Sequence, residues 1–222
     1  MAREIAFATF LKLLQLDGSP RRAELKRLLV GGGYPYWRPL QSLASQAILA
    51  GASLENLNAK VGSVCTGHQE KYNKNGLKAL FKWAQDRSCK PADPIPEIVA
   101  KFGSSGLAVR LKPELSFELN GNLISMALWA TIKPALSDEV LSIGLFFMKR
   151  AYEVKGHTQR QFLLFDTTKD RVFSEIDILS STLFLLKSKH DGIKKDWAET
   201  SGVPPTPPSD DSKDEQPKLI TF

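Results

Sequence analysis

Only two cysteines, Cys65 and Cys89, occur in 222 residues. A chain this poor in cysteine is not a disulfide-stapled scaffold, and two thiols fit a reducing compartment. With Cys65-Thr66-Gly67-His68 and a distant Cys89, the chain offers at most three soft ligands near one another. A structural zinc site takes four, so no metal is expected. No apolar run reaches the roughly 18 residues of a membrane-spanning helix. Met1–Gln15 is interrupted by Lys12 and has no small-residue cleavage site, so it reads as part of the folded body. A cytoplasmic protein without a membrane partner is the expectation. There is no G-x-S-x-G elbow and no Walker loop. Gly31-Gly32-Gly33 has no following Lys-Ser/Thr and reads as a helix stop.

What is present is a charge asymmetry. Residues 1–90 hold 14 Lys+Arg against 6 Asp+Glu. Residues 91–200 hold 14 of each, and residues 201–222 hold 2 against 4. The whole excess of the net +6 therefore sits in the first ninety residues. Such a bias points to a polyanionic partner.

Apolar spacing predicts helices over 3–16, from Pro20 to Leu29, from Pro39 to Ala50, from Ser53 to Val61 and from His68 to Asp86. Ser19 and Ser53 suit N-caps, and Pro20 suits a first helical position. Three prolines within Pro91–Pro96 suggest a boundary. Beyond it the period changes. Asn120-Gly121 is a hairpin turn signal. Counting outward sets Phe117 opposite Ile124 and Leu115 opposite Met126. The same count carries Leu111 to Ala130 and Val109 to Ile132, although Pro113 cannot donate a ladder bond and should break the strand. Ser137 caps an apolar helix with Asp138 and Glu139 in its first turn and Lys149 and Arg150 in its last. Gln161–Asp166 and Arg171–Glu175 read as strands, and a closing helix carries Ile176, Leu179, Leu183 and Leu186.

The expected fold class is α+β. A helical N-terminal domain (1–90) and a Pro-rich connector (91–106) lead into a small β-β-α-β-β mixed-sheet domain (107–200). That domain has helices packed on the face bearing Phe117, Ile124 and Met126. A disordered Pro-rich and acidic tail (201–222) follows.

Two groups of cations carry the functional expectation. Lys71, Lys74, Lys78 and Lys82 fall within an arc of about 80° on a helix, where they would track a phosphate backbone. Arg21, Arg22, Lys26 and Arg27 form a second group. Tyr36, Trp37 and Arg38 sit in a connector, where aromatics stack on bases. The alternative for the stripe is a solvated face.

The segment Gly33-Tyr34-Pro35-Tyr36-Trp37-Arg38-Pro39-Leu40, followed by Val109-Arg110-Leu111-Lys112-Pro113-Glu114-Leu115 and the Asn-Gly hairpin, resembles a group of uncharacterised bacterial proteins. That likeness implies an α-plus-β architecture and no particular activity. Residues 107–175 also resemble, in pattern, the core of the restriction-endonuclease-like or PD-(D/E)xK fold. This second likeness implies magnesium held by acids on adjacent strands. Glu114 and Glu118 stand where the first acid belongs, with Lys133 and Asp166 as the remaining candidates. The facing strand supplies Ser125, Ala127, Trp129 and Thr131 in place of Glu and Lys, so a degenerate site is expected. The first reading is thus a non-catalytic, nucleic-acid-associated or complex-forming accessory protein. It would contact DNA or RNA through its N-terminal half and a protein partner through its C-terminal half or tail. A divergent metal-dependent nuclease is the alternative, and a protein–protein adaptor the third.

Overall fold

The computed structural model describes residues 2–31, 36–49 and 52–202. The expected disordered tail, apart from Ser201 and Gly202, lies outside the described residues. The chain opens with β1 (Arg3–Ala6), α1 (Phe7–Gln15), α2 (Gly18–Val30), α3 (Arg38–Ile48), α4 (Leu54–Val64) and α5 (Gly67–Ala84). Strands β2 (Lys90–Pro91), β3 (Ile98–Lys101), β4 (Leu107–Leu111), β5 (Leu115–Leu119) and β6 (Asn122–Trp129) follow. Next come α6 (Asp138–Val154), β7 (Arg160–Asp166), β8 (Arg171–Phe173) and α7 (Thr182–Ser201). The fold is α+β, with helices first and mixed sheets after.

Strand order in the larger sheet is β2-β5-β6-β7-β8. Asn120 and Gly121 both take positive φ, at 53° and 80°, as a two-residue primed turn requires. They set the register Phe117 to Ile124 and Leu115 to Met126, as the pattern predicts. Strands β6 and β7 run parallel and α6 connects them. Ser137 caps α6, its Oγ accepting from the Val140 N–H at 3.3 Å. The helix runs to Val154, so Lys149 and Arg150 lie inside it rather than in its last turn.

Beyond Pro113 the hairpin does not continue. Residues 107–111 leave for a second sheet of order β1-β4-β3. In it Arg3–Ala6 pairs parallel with Leu107–Arg110, and Ile98 pairs with Leu111. The helix expected over 3–16 therefore begins at Phe7. Its first four residues are a strand, with Ile5 alone turned into the core. The connector 91–106 likewise holds β3 and the end of β2. The closing helix begins at Thr182. Ile176 and Leu179 precede it and are exposed, whereas Leu186 and Ile193 face the core.

Two apolar cores flank the larger sheet. Leu115, Phe117, Ile124, Met126 and Phe165 pack against Leu40, Leu57, Leu77 and Leu80 of α3–α5. The opposite face presents Ala127, Trp129, Phe162 and Leu164 to α6, and that core extends to Phe10, Leu14, Phe102 and Val109. The helices on the Phe117 face are thus the N-terminal ones, and the apolar α6 covers the other side.

Candidate nucleic-acid interface

The geometry of this surface starts from one buried amide. Asn73 of α5 is fully buried. Its Oδ1 accepts from the Leu40 N–H at 2.9 Å, and its Nδ2 donates to the carbonyls of Tyr36 and Gln69 at 3.0 and 2.8 Å. Gln69 Nε2 also donates to the Tyr36 carbonyl at 3.0 Å. An amide side chain buried this deeply must spend its donors and acceptor. Here it spends them fixing the connector 36–40 to α5. Trp37 Nε1 donates to Thr131 Oγ1 at 3.1 Å, which ties the same connector to the end of β6.

The result is a half-buried aromatic group at the N-terminal end of α5. Tyr36 and Trp37 meet edge to face at 4.8 Å between ring centroids. Tyr72 lies 6.5 and 6.4 Å from them, and His68 stacks on Tyr72 at 6.2 Å. Burial, with Tyr72 and Cys65 beside it, pushes the Tyr36 hydroxyl above its usual range. Sequence reading found Tyr36 and Trp37 but missed His68, Tyr72 and Asn73. The signal was available, because Asn73 sits one turn before core Leu77, and His68 and Tyr72 are four apart on one face.

The four lysines of the stripe divide. Lys71 and Lys78 are exposed, and among the described residues neither makes an ion pair. Lys74 pairs with Glu70 at 2.5 Å, and Lys82 reaches Asp170 in the β7–β8 turn. Arg38 is exposed at the start of α3 beside Trp37. The open cations adjoining the aromatic group are therefore Arg38 and Lys71, with Lys78 two turns further along α5.

The second basic group has a different use. Arg21 is buried, its Nε donating to Asp196 Oδ2 at 2.6 Å. Arg22 donates to the other oxygen of Asp196 at 3.1 Å, and Arg27 pairs with Glu24 at 3.0 Å. Arg21 and Arg22 hold α2 to α7, and only Lys26 of this group is exposed without an ion pair among the described residues.

The acids and the lysine of the nuclease alternative are not brought together. Glu114 Oε2 accepts from the Leu128 N–H at 2.8 Å, and its Oε1 accepts from Gln41 Nε2 at 2.9 Å. Pro113 turns the strand away where Leu128 should find its ladder partner, and the Glu114 carboxyl takes that place. Burial pushes this carboxyl up to about 7, against the lowering effect of those hydrogen bonds. Glu118 faces Lys90 at 3.9 Å at the β2 edge of the sheet. Asp166 is buried two strands from β5, where its Oδ1 accepts from the N–H and Oγ1 of Thr168 at 2.9 and 2.6 Å. That is an Asx turn. Lys133 is exposed in the loop after β6. Among the described residues, no three His, Cys, Asp or Glu side chains are placed to hold one metal ion. No described helix is long and apolar enough to cross a membrane. The two cysteines are free thiols, both raised chiefly by burial. In comparisons with known proteins, the chain matches no family model and no curated sequence.

Proposed function

We propose that this chain binds single-stranded nucleic acid across the N-terminal end and exposed face of α5. The observation that carries the reading is the juxtaposition of the Tyr36–Trp37–Tyr72–His68 group with Arg38 and Lys71. Strand-binding surfaces combine aromatic faces, on which any base stacks, with cations that track the backbone. Asn73 supports the reading by holding the aromatic connector rigid before a ligand arrives, which lowers the ordering cost of binding. The charge excess of the first ninety residues supports it at longer range. The binding is of an accessory kind, with no reaction assigned.

The test is equilibrium binding to short single- and double-stranded DNA and RNA across a salt series. Lys71→Gln/Lys78→Gln and Tyr72→Ala are measured alongside the unaltered chain. Single strands should bind more tightly than duplexes. The double lysine variant should flatten the log–log salt slope by about 1.4, at about 0.7 per phosphate contact. Tyr72→Ala should cost about 1–3 kcal/mol with the slope unchanged. Absence of binding at low salt, or a slope indifferent to both lysines, would overturn the reading and leave the stripe a solvated helix face.

A further inference from the structure

A groove of 380 Å³ opens between the C-terminal ends of α3 and α5. Ile48, Leu49, Phe81 and Ala84 give it an apolar lining, to which Arg87 and half-buried Cys89 also contribute. Its size suits one or two large apolar side chains. Cations lie beside it, because Arg87 is among its lining and Lys78 is three positions from Phe81 on the neighbouring turn of α5. An occupant therefore needs apolar anchors and an adjoining negative stretch.

We infer that the chain's own C-terminal segment occupies this groove. Leu219, Ile220 and Phe222 supply the anchors, and Asp210, Asp211, Asp214 and Glu215, which outnumber Lys213 and Lys218, precede them to face Lys78 and Arg87. The spacing is compatible. Glu215 and Leu219 are separated by about 13 Å in extended chain, and Lys78 lies about 10 Å along the helix axis from Gln85. Reach is ample. The described body closes at Gly202, and the twenty residues after it extend to about 70 Å, against about 45 Å across a body of this size.

Cys89 makes the inference measurable. In the full-length chain, alkylation of Cys89 by N-ethylmaleimide is followed by peptide mass spectrometry, with buried Cys65 read separately. The comparison is the full-length chain carrying Leu219→Ser, Ile220→Ser and Phe222→Ser. Cys89 should react at least about five-fold faster in the variant, with Cys65 unchanged and the protection independent of protein concentration. Equal Cys89 rates would overturn the inference. So would protection that grows with protein concentration, which assigns the groove to another copy's segment. A parallel rise at Cys65 would overturn it as well, by showing a loosened body rather than an opened groove. No nucleic acid enters the assay, so its outcome is separate from the fate of the proposed binding function.

Discussion

Arg21 on α2 donates from Nε to Asp196 on α7 across 175 residues of chain, at 2.6 Å, with both side chains withdrawn from water. Asp196 also receives Arg22, and Arg21 reaches back to Asp17 at 3.2 Å. Gly192 leaves room for this arrangement, since a Cβ there would stand 2.8 Å from Arg21 Nη2. Asp196→Ala leaves a buried guanidinium without its main partner and should cost about 3–5 kcal/mol in urea unfolding. Replacing both residues together, Arg21→Met with Asp196→Leu, should recover much of that loss. If the single and double variants lose equal stability, the pair is not what holds α2 to α7.

Glu114 gives the chain a pH-dependent stability of unusual sign for a carboxylate. Its folded-state pKa of about 7 lies above the ordinary 4.5, so the folded state holds the proton more tightly than the unfolded one. That contribution is fully present below the ordinary value and is lost as pH rises to about 7. A tenfold difference in proton affinity is worth about 1.4 kcal/mol. The side chain is only half-buried, and solvent screening reduces that figure. We therefore expect a loss of about 1–2 kcal/mol over that window. Unfolding measured at pH 5 and pH 7.5 should show it in the unaltered chain, and Glu114→Gln should remove most of the difference.

Tyr152 on α6 shares its single hydroxyl proton between the carbonyls of Pro96 and Leu111, at 2.9 and 3.0 Å. Burial pushes the hydroxyl well above its usual range, so it stays a donor. These carbonyls flank β3 and end β4. Tyr152→Phe preserves the ring and its stacking on Phe162. It should cost about 1–3 kcal/mol through the unpaired acceptors, with the earliest amide exchange gain in residues 96–111.

Gly144 of α6 lies against Leu11 and Phe7 of α1. A Cβ there would stand 2.3 Å from Leu11 Cδ2, and Leu11 is itself buried. Gly144→Ala gains about 1 kcal/mol of helix propensity but forces a packed leucine to move, at about 1–3 kcal/mol. Net destabilisation is expected by thermal unfolding. Adding Leu11→Ala should turn the same substitution neutral or favourable.

The legible parts of the fold were those whose causes lie close together in the chain. Asn120-Gly121 dictates its own turn, and alternation over 115–126 then permits only one register. Ser53 and Ser137 announce their helices because the capped amides are three residues away. Pro113 was readable as a break, but not the destination of the strand before it, since β4 finds its partners in Ile98–Lys101 and in Arg3–Ala6. Residues 3–6 carry one buried side chain, too few to show a period of two beside the strong helical spacing that follows. At the candidate interface, the exposed lysines and the aromatic connector were visible as residue types. The diversion of Arg21 and Arg22 to Asp196, of Lys82 to Asp170 and of Glu114 to Leu128 was not, because each partner is distant in sequence.

The parallel pairing of β1 with β4 has a consequence for the order of assembly. On a ribosome adding about 5–20 residues per second, Arg3–Ala6 must wait for a partner made about a hundred residues later. For about 5 to 20 seconds, therefore, the first strand and the helix behind it have no sheet to join. The α2 seat waits longer still, until Asp196 is made. The helices α3–α5 emerge early, but their apolar faces lie bare until β5 and β6 arrive to cover them. The nascent protein thus exposes its basic, sticky half before it possesses the sheet that completes it, and among the described elements α7 is the last made and the last available to dock.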